Sequence, residues 1–289
     1  MKSIYQLPGY VLCLLGGFCL SWGGLIIRSY EGASPWQILF WRSIFFSCAV
    51  IFFLIFYYKK EALKVITKSG FPGFIGGFFL SLSFVAYIFS ITHTTVANVV
   101  FIISTQTLFL AVFGYFFLKE KISIQGFIAI SLAMFGIIIM VGESFLSGSF
   151  IGNIVALVIP INFSVLVMII RKYPHLDMVP AIFYSGVLSC VYGFFLAESL
   201  FISPKDLYLS ILLGVPQLAF GFIFVTIGSR TTPAVTVGLL MLLETIFAPI
   251  WVWLIYNEIP PVSVIIGGAI VMSAVIIKSF ENKSFKVSN

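Results

Sequence analysis

Residues 231–258 read TTPAVTVGLLMLLETIFAPIWVWLIYNE, and residues 94–120 read TTVANVVFIISTQTLFLAVFGYFFLKE. Each stretch opens on a Thr-Thr-x-Ala element, Thr231 to Ala234 and Thr94 to Ala97. Each continues as an apolar run with a polar pair near its centre, Glu244-Thr245 and Gln106-Thr107, and each ends on a glutamate, Glu258 and Glu120. At an offset of 137, or 138 after one gap, the identities are Thr94/Thr231, Thr95/Thr232, Ala97/Ala234, Thr107/Thr245, Phe109/Phe247 and Glu120/Glu258. Chance matches are common in apolar sequence, and these gain weight because they fall at equivalent points of two long segments. A run of about 20 apolar residues crosses a bilayer as a helix, so the doubled pattern predicts two related membrane helices.

The rest of the chain has the same character. Of 289 residues, 61% are hydrophobic, 17% aromatic and only 9% charged, with a mean hydropathy of +1.15. A soluble domain carries about 25% charged residues, so this chain lacks the solvated surface such a domain needs. Ten apolar spans are legible, at 8–27, 36–56, 72–91, 96–118, 122–141, 151–170, 179–199, 207–228, 233–256 and 262–278. They are too long and too uniformly apolar for barrel strands, which alternate, and lipid leaves the helix as the remaining spanning form. The predicted fold class is therefore an all-α membrane protein with ten transmembrane helices. The first span has the length of a signal peptide but no small-x-small cleavage site, and it is expected to be retained. The connections are short, and no phosphate-binding Gly-x-x-x-x-Gly-Lys-Ser/Thr loop is present. Cys13, Cys19, Cys48 and Cys190 all lie within spans and form neither a disulfide framework nor a metal-ligand spacing.

The basic residues set the expected orientation. With the N-terminus in the cytoplasm, one side holds Lys2, Lys59, Lys60, Lys64, Lys68, Lys119, Lys121, Arg171, Lys172, Arg230, Lys278, Lys283 and Lys286. That is 13 of the 16 basic residues, with only Arg28 and Lys205 in the outer loops and Arg42 inside the second span. The positive-inside rule then puts both termini in the cytoplasm. Five spans per half is an odd number, so the second half (147–289) enters the membrane inverted relative to the first (1–146). Inverted halves are the architecture of transporters that open alternately to either side.

At this point the chain resembles the ten-helix, EamA-type branch of the drug/metabolite transporter superfamily, over nearly its whole length. The residues that carry the likeness are the small residues opening spans four and nine (Thr94 to Ala97, Thr231 to Ala234), Glu120 and Glu258, and the glycines that follow (Gly126 and Gly136; Gly267 and Gly268). The Leu243-Glu244 pair and Phe40-Trp41-Arg42 also fit. The family often has proline after the mid-helix polar position, where this chain has Thr107 and Thr245, with Pro249 one turn later. The resemblance implies secondary transport of small metabolites, often amino acids or related compounds, through a cavity lined by spans one, three, four, six, eight and nine.

Glu244 is the leading candidate for that site. It lies almost at the midpoint of its span, where a carboxylate costs about 2.5–3.5 kcal/mol on insertion scales. A carboxylate that is charged in water and protonated when occluded is what a proton carrier requires; alternatively Glu244 pairs with a substrate cation or is a structural glutamate bonded to neighbouring helices. Helical spacing puts Val237, Met241, Ala248 and Trp251 on its face. Trp251 is either a stacking surface or an apolar wall. Gln106 is the repeat-equivalent of Glu244 and either binds substrate or glues helices. Asn162 and Gln217 lie beside Pro160 and Pro216, where a freed backbone carbonyl marks cavity-lining breaks. Tyr87, Trp22, Ser21 and Ser83 are further mid-span groups, with helix contact as the alternative reading. Arg42 is expected to be gating or structural, snorkelling outward, with substrate-carboxylate binding as the alternative.

The expected function is secondary active transport of amino acids, related amines or other metabolites, coupled to protons through Glu244. The alternatives are a flippase for a lipid-linked molecule and a non-transporting scaffold or sensor. No His-Glu-x-x-His, Gly-x-Ser-x-Gly or paired intramembrane aspartates suggest an enzyme, and no cofactor or metal is expected. The expected partners are a small-molecule substrate, protons and membrane lipids, without nucleic acid, for a monomer or homodimer. The abundance of Phe, Ile and Lys fits an AT-rich genome, so the expected location is a bacterial cytoplasmic membrane.

Overall fold

The computed structural model describes residues 4–94, 96–141, 150–257 and 262–284. Thr95 and Glu258, both part of the doubled pattern, lie outside the described residues. The described chain is all-helical, and every apolar span read from the sequence is helical. We label these helices α1 Gly9–Arg28, α2 Pro35–Tyr58, α3 Ala62–His93, α4 Asn98–Leu118, α5 Ile124–Val141, α6 Phe150–Lys172, α7 Val179–Leu196, α8 Pro204–Ser229, α9 Ala234–Tyr256 and α10 Val262–Ser284. Seven stretches are long and apolar enough to cross a membrane, one of which, Pro35–His93, holds both α2 and α3. The apolar windows of α5 and α10, Ile124–Ile139 and Val262–Ile277, are shorter. The chain is a multi-pass membrane protein: Phe52, Phe56, Phe71, Phe127 and Phe195 stand exposed on its outer surface, where water would penalise them and lipid does not.

Local chemistry sets the helix ends. Ser34 caps α2 in a reciprocal box with Gln37: the Gln37 side chain accepts from Ser34 N at 2.7 Å, and Pro35 fills the first turn. Ser203 caps α8 by accepting from Asp206 N at 3.0 Å. α4 and α9 both stop at a residue in the left-handed conformation, Lys119 (φ 56°) and Asn257 (φ 55°). Within α3, Gly70 has φ 50° and ψ −149°, breaking the helix two residues before Pro72. A side chain is strained at that φ, so the glycine separates the lysine-bearing segment 62–69 from the apolar part.

Several helices are interrupted near the middle of their apolar runs. α1 breaks at Ser21–Trp22, α4 at Thr105, α6 at Leu157 and α9 at Leu242. Thr105 (φ −65°, ψ −10°) and Leu242 (φ −63°, ψ −13°) have nearly the same conformation. Each N–H turns to the carbonyl three residues back, Thr105 to Ile102 at 3.1 Å and Leu242 to Leu239 at 3.2 Å. Both breaks fall before the mid-helix polar pair, at positions with no adjacent proline. α8 instead widens into a π-helical stretch, Leu213–Ala219, around Pro216.

Small residues allow the closest crossings, as is usual between membrane helices. α1 crosses α8 where Gly9 and Gly16 face Gly228 and Gly221: a Cβ on Gly228 would meet the Gly9 carbonyl at 2.6 Å, and one on Gly16 the Gly221 carbonyl at 2.9 Å. α5 packs on α10 through Gly136, whose missing Cβ would meet the Gly267 carbonyl at 2.7 Å. α3 packs on α6 and α7, α2 on α7 and α8, α4 on α6 and α9, and α1 also on α9.

The two copies of the quoted pattern meet at the face that carries the N-terminal turn Ile4–Gln6. Glu120, closing the first copy, accepts from Ala234 N at 2.9 Å, at the first turn of the second copy. An anion at a helix N-terminus is favoured by the dipole. Glu120 also accepts from Arg171 Nε at 2.6 Å, and Arg171 donates in turn to the Thr232 carbonyl. Nearby, Asp177 accepts from the hydroxyls of Tyr5 and Tyr58 and from Val179 N. Burial and the adjacent Asp177 hold the Tyr5 phenol above the usual tyrosine range. On the opposite face, Asp206 accepts from the N–H groups of Glu31, Gly32 and Ala33 at 3.0, 3.2 and 3.0 Å, and Lys205 pairs with Glu31.

Candidate functional site

A cavity lies where the interrupted helices converge. Its wall takes Gly23 from α1, Arg42 from α2, Ser83, Phe84 and Tyr87 from α3, Gln106 from α4, Ile159 and Phe163 from α6, Gln217 and Phe222 from α8, and Met241 and Glu244 from α9. The volume is about 90 Å³. A cavity of roughly 150 Å³ admits a benzene molecule, so this conformation has room for water or a small ion and not for a whole metabolite.

The helix breaks explain how polar groups reach the wall. The turn at Ser21–Trp22 interrupts the hydrogen-bond ladder of α1, and the Leu20 carbonyl accepts from Gln217 Nε2 at 2.9 Å. The π-helical stretch of α8 points Gln217 at that carbonyl. Gly23 leaves the room, because a Cβ there would lie 2.9 Å from Gln217 Nε2. Gln106 follows the Thr105 break directly, and Glu244 follows the Leu242 break by two residues. Across the breaks, Ser104 Oγ and Thr245 Oγ1 hydrogen-bond at 3.0 Å, joining α4 to α9 beside the cavity. Among the described residues, no side chain donates a hydrogen bond to the Glu244 carboxylate or pairs with it as an ion.

Arg42 is 2% exposed and faces inward. It does not snorkel to the surface, and it brings α2 into a wall expected to lack it. The contact that fixes its place is α8: a Cβ on Gly214 would lie 2.6 Å from the Arg42 carbonyl. Its guanidinium carbon sits 5.4 Å from the Phe84 ring centroid and 5.7 Å from that of Tyr87, and Nη2 donates to the Phe84 carbonyl at 3.3 Å. Tyr87 lies within electrostatic reach of both Arg42 and Glu244.

Of the residues singled out from sequence, Glu244, Gln106, Gln217, Tyr87 and Arg42 share this wall, as does Ser83. Asn162 does not. It is buried beside the lining positions Ile159 and Phe163, with its Nδ2 unpaired among the described residues. Trp22 and Trp251 are also absent from the wall. They pack edge-on at 6.4 Å with Phe18 between them, Phe247 stacks on Trp251, and Trp251 Nε1 donates to Ser21 Oγ at 2.8 Å. This aromatic cluster ties α1 to α9. Val237 and Ala248 are not in the wall either, leaving Met241 as the lining residue on the Glu244 face. Phe84, Phe163 and Phe222 were missed from sequence, since phenylalanine is too frequent in this chain, at 33 residues, to signal a site. Among the described residues, no group of three or more His, Cys, Asp or Glu side chains is placed to hold a metal ion.

Comparison with known proteins agrees with this picture. A solved crystal structure superposes with a TM-score of 0.80 over 96% of this chain and 98% of that one, at 14% identity, which shows a shared fold. The chain is 24% identical to the S-adenosylmethionine uptake transporter of Rickettsia prowazekii, over 89% of this chain and 88% of the relative. It is equally 24% identical to the pseudopaline exporter CntI of Pseudomonas aeruginosa, over 95% of this chain and 97% of the relative. The model of the EamA-like transporter family matches twice, at residues 7–142 and 146–280. The chain therefore belongs to the EamA-like transporter family, within the drug/metabolite transporter superfamily.

Proposed function

We propose that this chain is a secondary active transporter that moves a small cationic or zwitterionic metabolite, an amino acid or related amine, across a bacterial cytoplasmic membrane by alternating access, coupled to protons through Glu244. The observation that carries the proposal is the Glu244 carboxylate itself, set at the centre of an apolar bundle, in the wall of a cavity, without a donor among the described residues. A carboxylate at that depth is costly, and such groups mark proton or substrate pathways. Gln106 and Gln217 supply neutral hydrogen bonds on the facing helices.

The chain acts as two inverted five-helix halves, 1–146 and 147–289, with both termini cytoplasmic. The packing supports this. If each helix is exchanged for the one five places away, α1 on α8 becomes α6 on α3, α4 on α6 becomes α9 on α1, and α2 on α8 becomes α7 on α3. The pairs α2–α7, α4–α9 and α5–α10 return to themselves. The matched breaks at Thr105 and Leu242 and the doubled family match argue in the same direction. Because one relative is named for uptake and another for export, the direction follows the gradients imposed.

The test is transport in proteoliposomes under an imposed pH gradient. The wild-type protein should accumulate substrate in proportion to the gradient. Glu244→Gln should still exchange substrate, with weaker binding, but lose the gradient dependence, with a fall in driven transport of at least tenfold. Unchanged pH dependence in Glu244→Gln would remove the coupling role.

A further inference from the structure

Among the described residues, Arg42 is a buried cation without a counter-ion. Its guanidinium has five N–H donors in a planar fork. One nitrogen, Nη2, reaches the Phe84 carbonyl at 3.3 Å, and Nε has no partner. Among the described residues no carboxylate pairs with it, although the side chain is 2% exposed. Removing an unpaired charge from water is costly unless something binds it. The site is also built to hold the fork still: Gly214 lets α8 seat against the backbone at Arg42, and the rings of Phe84 and Tyr87 lie against the guanidinium. The side chain lines the cavity.

We propose that Arg42 docks the carboxylate of the substrate, and that the substrate lies with this end at Arg42 and its cationic end toward Glu244. The proposal rests on the transport reading above and specifies its substrate class. Two features select a carboxylate over a phosphate. Among the described residues Arg42 is the single basic residue of the wall and Glu244 the single acidic one, so with Glu244 ionised the two charges cancel, and a substrate that matches both is a zwitterion. A phosphate dianion would leave one charge unmatched. A planar fork also fits a carboxylate through two parallel hydrogen bonds. Tyr87 shares the wall with both and lies 5.7 Å from the guanidinium carbon.

The experiment measures binding to the purified full-length protein by thermal stabilisation and calorimetry. It uses compounds paired by the presence or absence of the carboxylate: S-adenosylmethionine and its decarboxylated form, methionine and 3-methylthiopropylamine, lysine and cadaverine, tryptophan and tryptamine. For wild type, at least one acid-bearing member should bind ten or more times tighter than its amine partner. Arg42→Gln should abolish that preference by weakening the acid and leaving the amine unchanged. Arg42→Lys, which keeps the charge but loses the fork, should retain the preference at roughly tenfold weaker affinity, and it serves as the variant to read if the glutamine form does not fold. Equal binding of both members of every pair, binding by the amines alone, no binding by any pair, or a preference that survives in Arg42→Gln would each overturn carboxylate docking. Transport of a carboxylate-free cation, unaffected by Arg42→Gln, overturns this inference and leaves the transport reading standing. A compound that binds through Arg42 but is never translocated overturns the transport reading instead.

Discussion

At the level of single residues, cost is the guide to function. A carboxylate at Glu244 was legible from the sequence because an acid in the middle of an apolar run has no cheap explanation. Gln106 followed from it through the repeat. Arg42 was legible as an oddity but not as part of the wall, since the sequence of α2 is apolar all round and does not say which face turns inward. Asn162, singled out for its neighbouring proline, is buried beside the wall and not among its lining residues. Glu120 carries no substrate role here, yet it joins Arg171, the Thr232 carbonyl by way of that arginine, and the first N–H of α9. Glu120→Gln weakens these charge-assisted contacts, and hydrogen bonds to charged groups contribute about 1.5–3 kcal/mol each. We expect a lower melting temperature and looser closure of that face. Cys13, fully buried next to Gly228, is a built-in reporter. In a variant retaining only this cysteine, a membrane-permeant maleimide should label it several-fold faster after Glu120→Gln. Unchanged labelling would mean that the Glu120 contacts do not hold that face shut.

At the scale of helices, length and position were readable and internal breaks were not. The spans followed from uniform hydropathy, while the caps at Ser34 and Ser203 that start α2 and α8 were not read from the sequence. The breaks at Thr105 and Leu242 have no glycine or proline to announce them; they arise where α4 and α9 cross, beside the Ser104–Thr245 hydrogen bond. Glycines mattered for contact more than for flexibility. Gly136 lies so close to the Gly267 carbonyl that even a Cβ would overlap it. Gly136→Val should therefore force α5 from α10. Overpacking of this kind typically costs 1–3 kcal/mol, measurable as a lower unfolding temperature in detergent, whereas Gly268→Ala, with open space around the missing Cβ, should change little.

At the scale of the whole molecule, the charge count and the doubled pattern imply the two inverted halves proposed above, and the packing pairs are consistent with that proposal. The conformation described is contracted: its central cavity, at about 90 Å³, is too small for a metabolite, so a transport cycle must part the helices around it. Under the proposed inverted symmetry there are two ways to do this, one at each face. The most direct measurement places a cysteine in the wall, Met241→Cys in a background without the native cysteines, and labels it in oriented proteoliposomes with a membrane-impermeant reagent from each side in turn. Alternating access predicts labelling from both sides, with bound substrate or a change in pH shifting the ratio between them. Labelling from one side alone under every condition, with no shift on substrate addition, would contradict the account and describe a fixed binding pocket instead of a transporter.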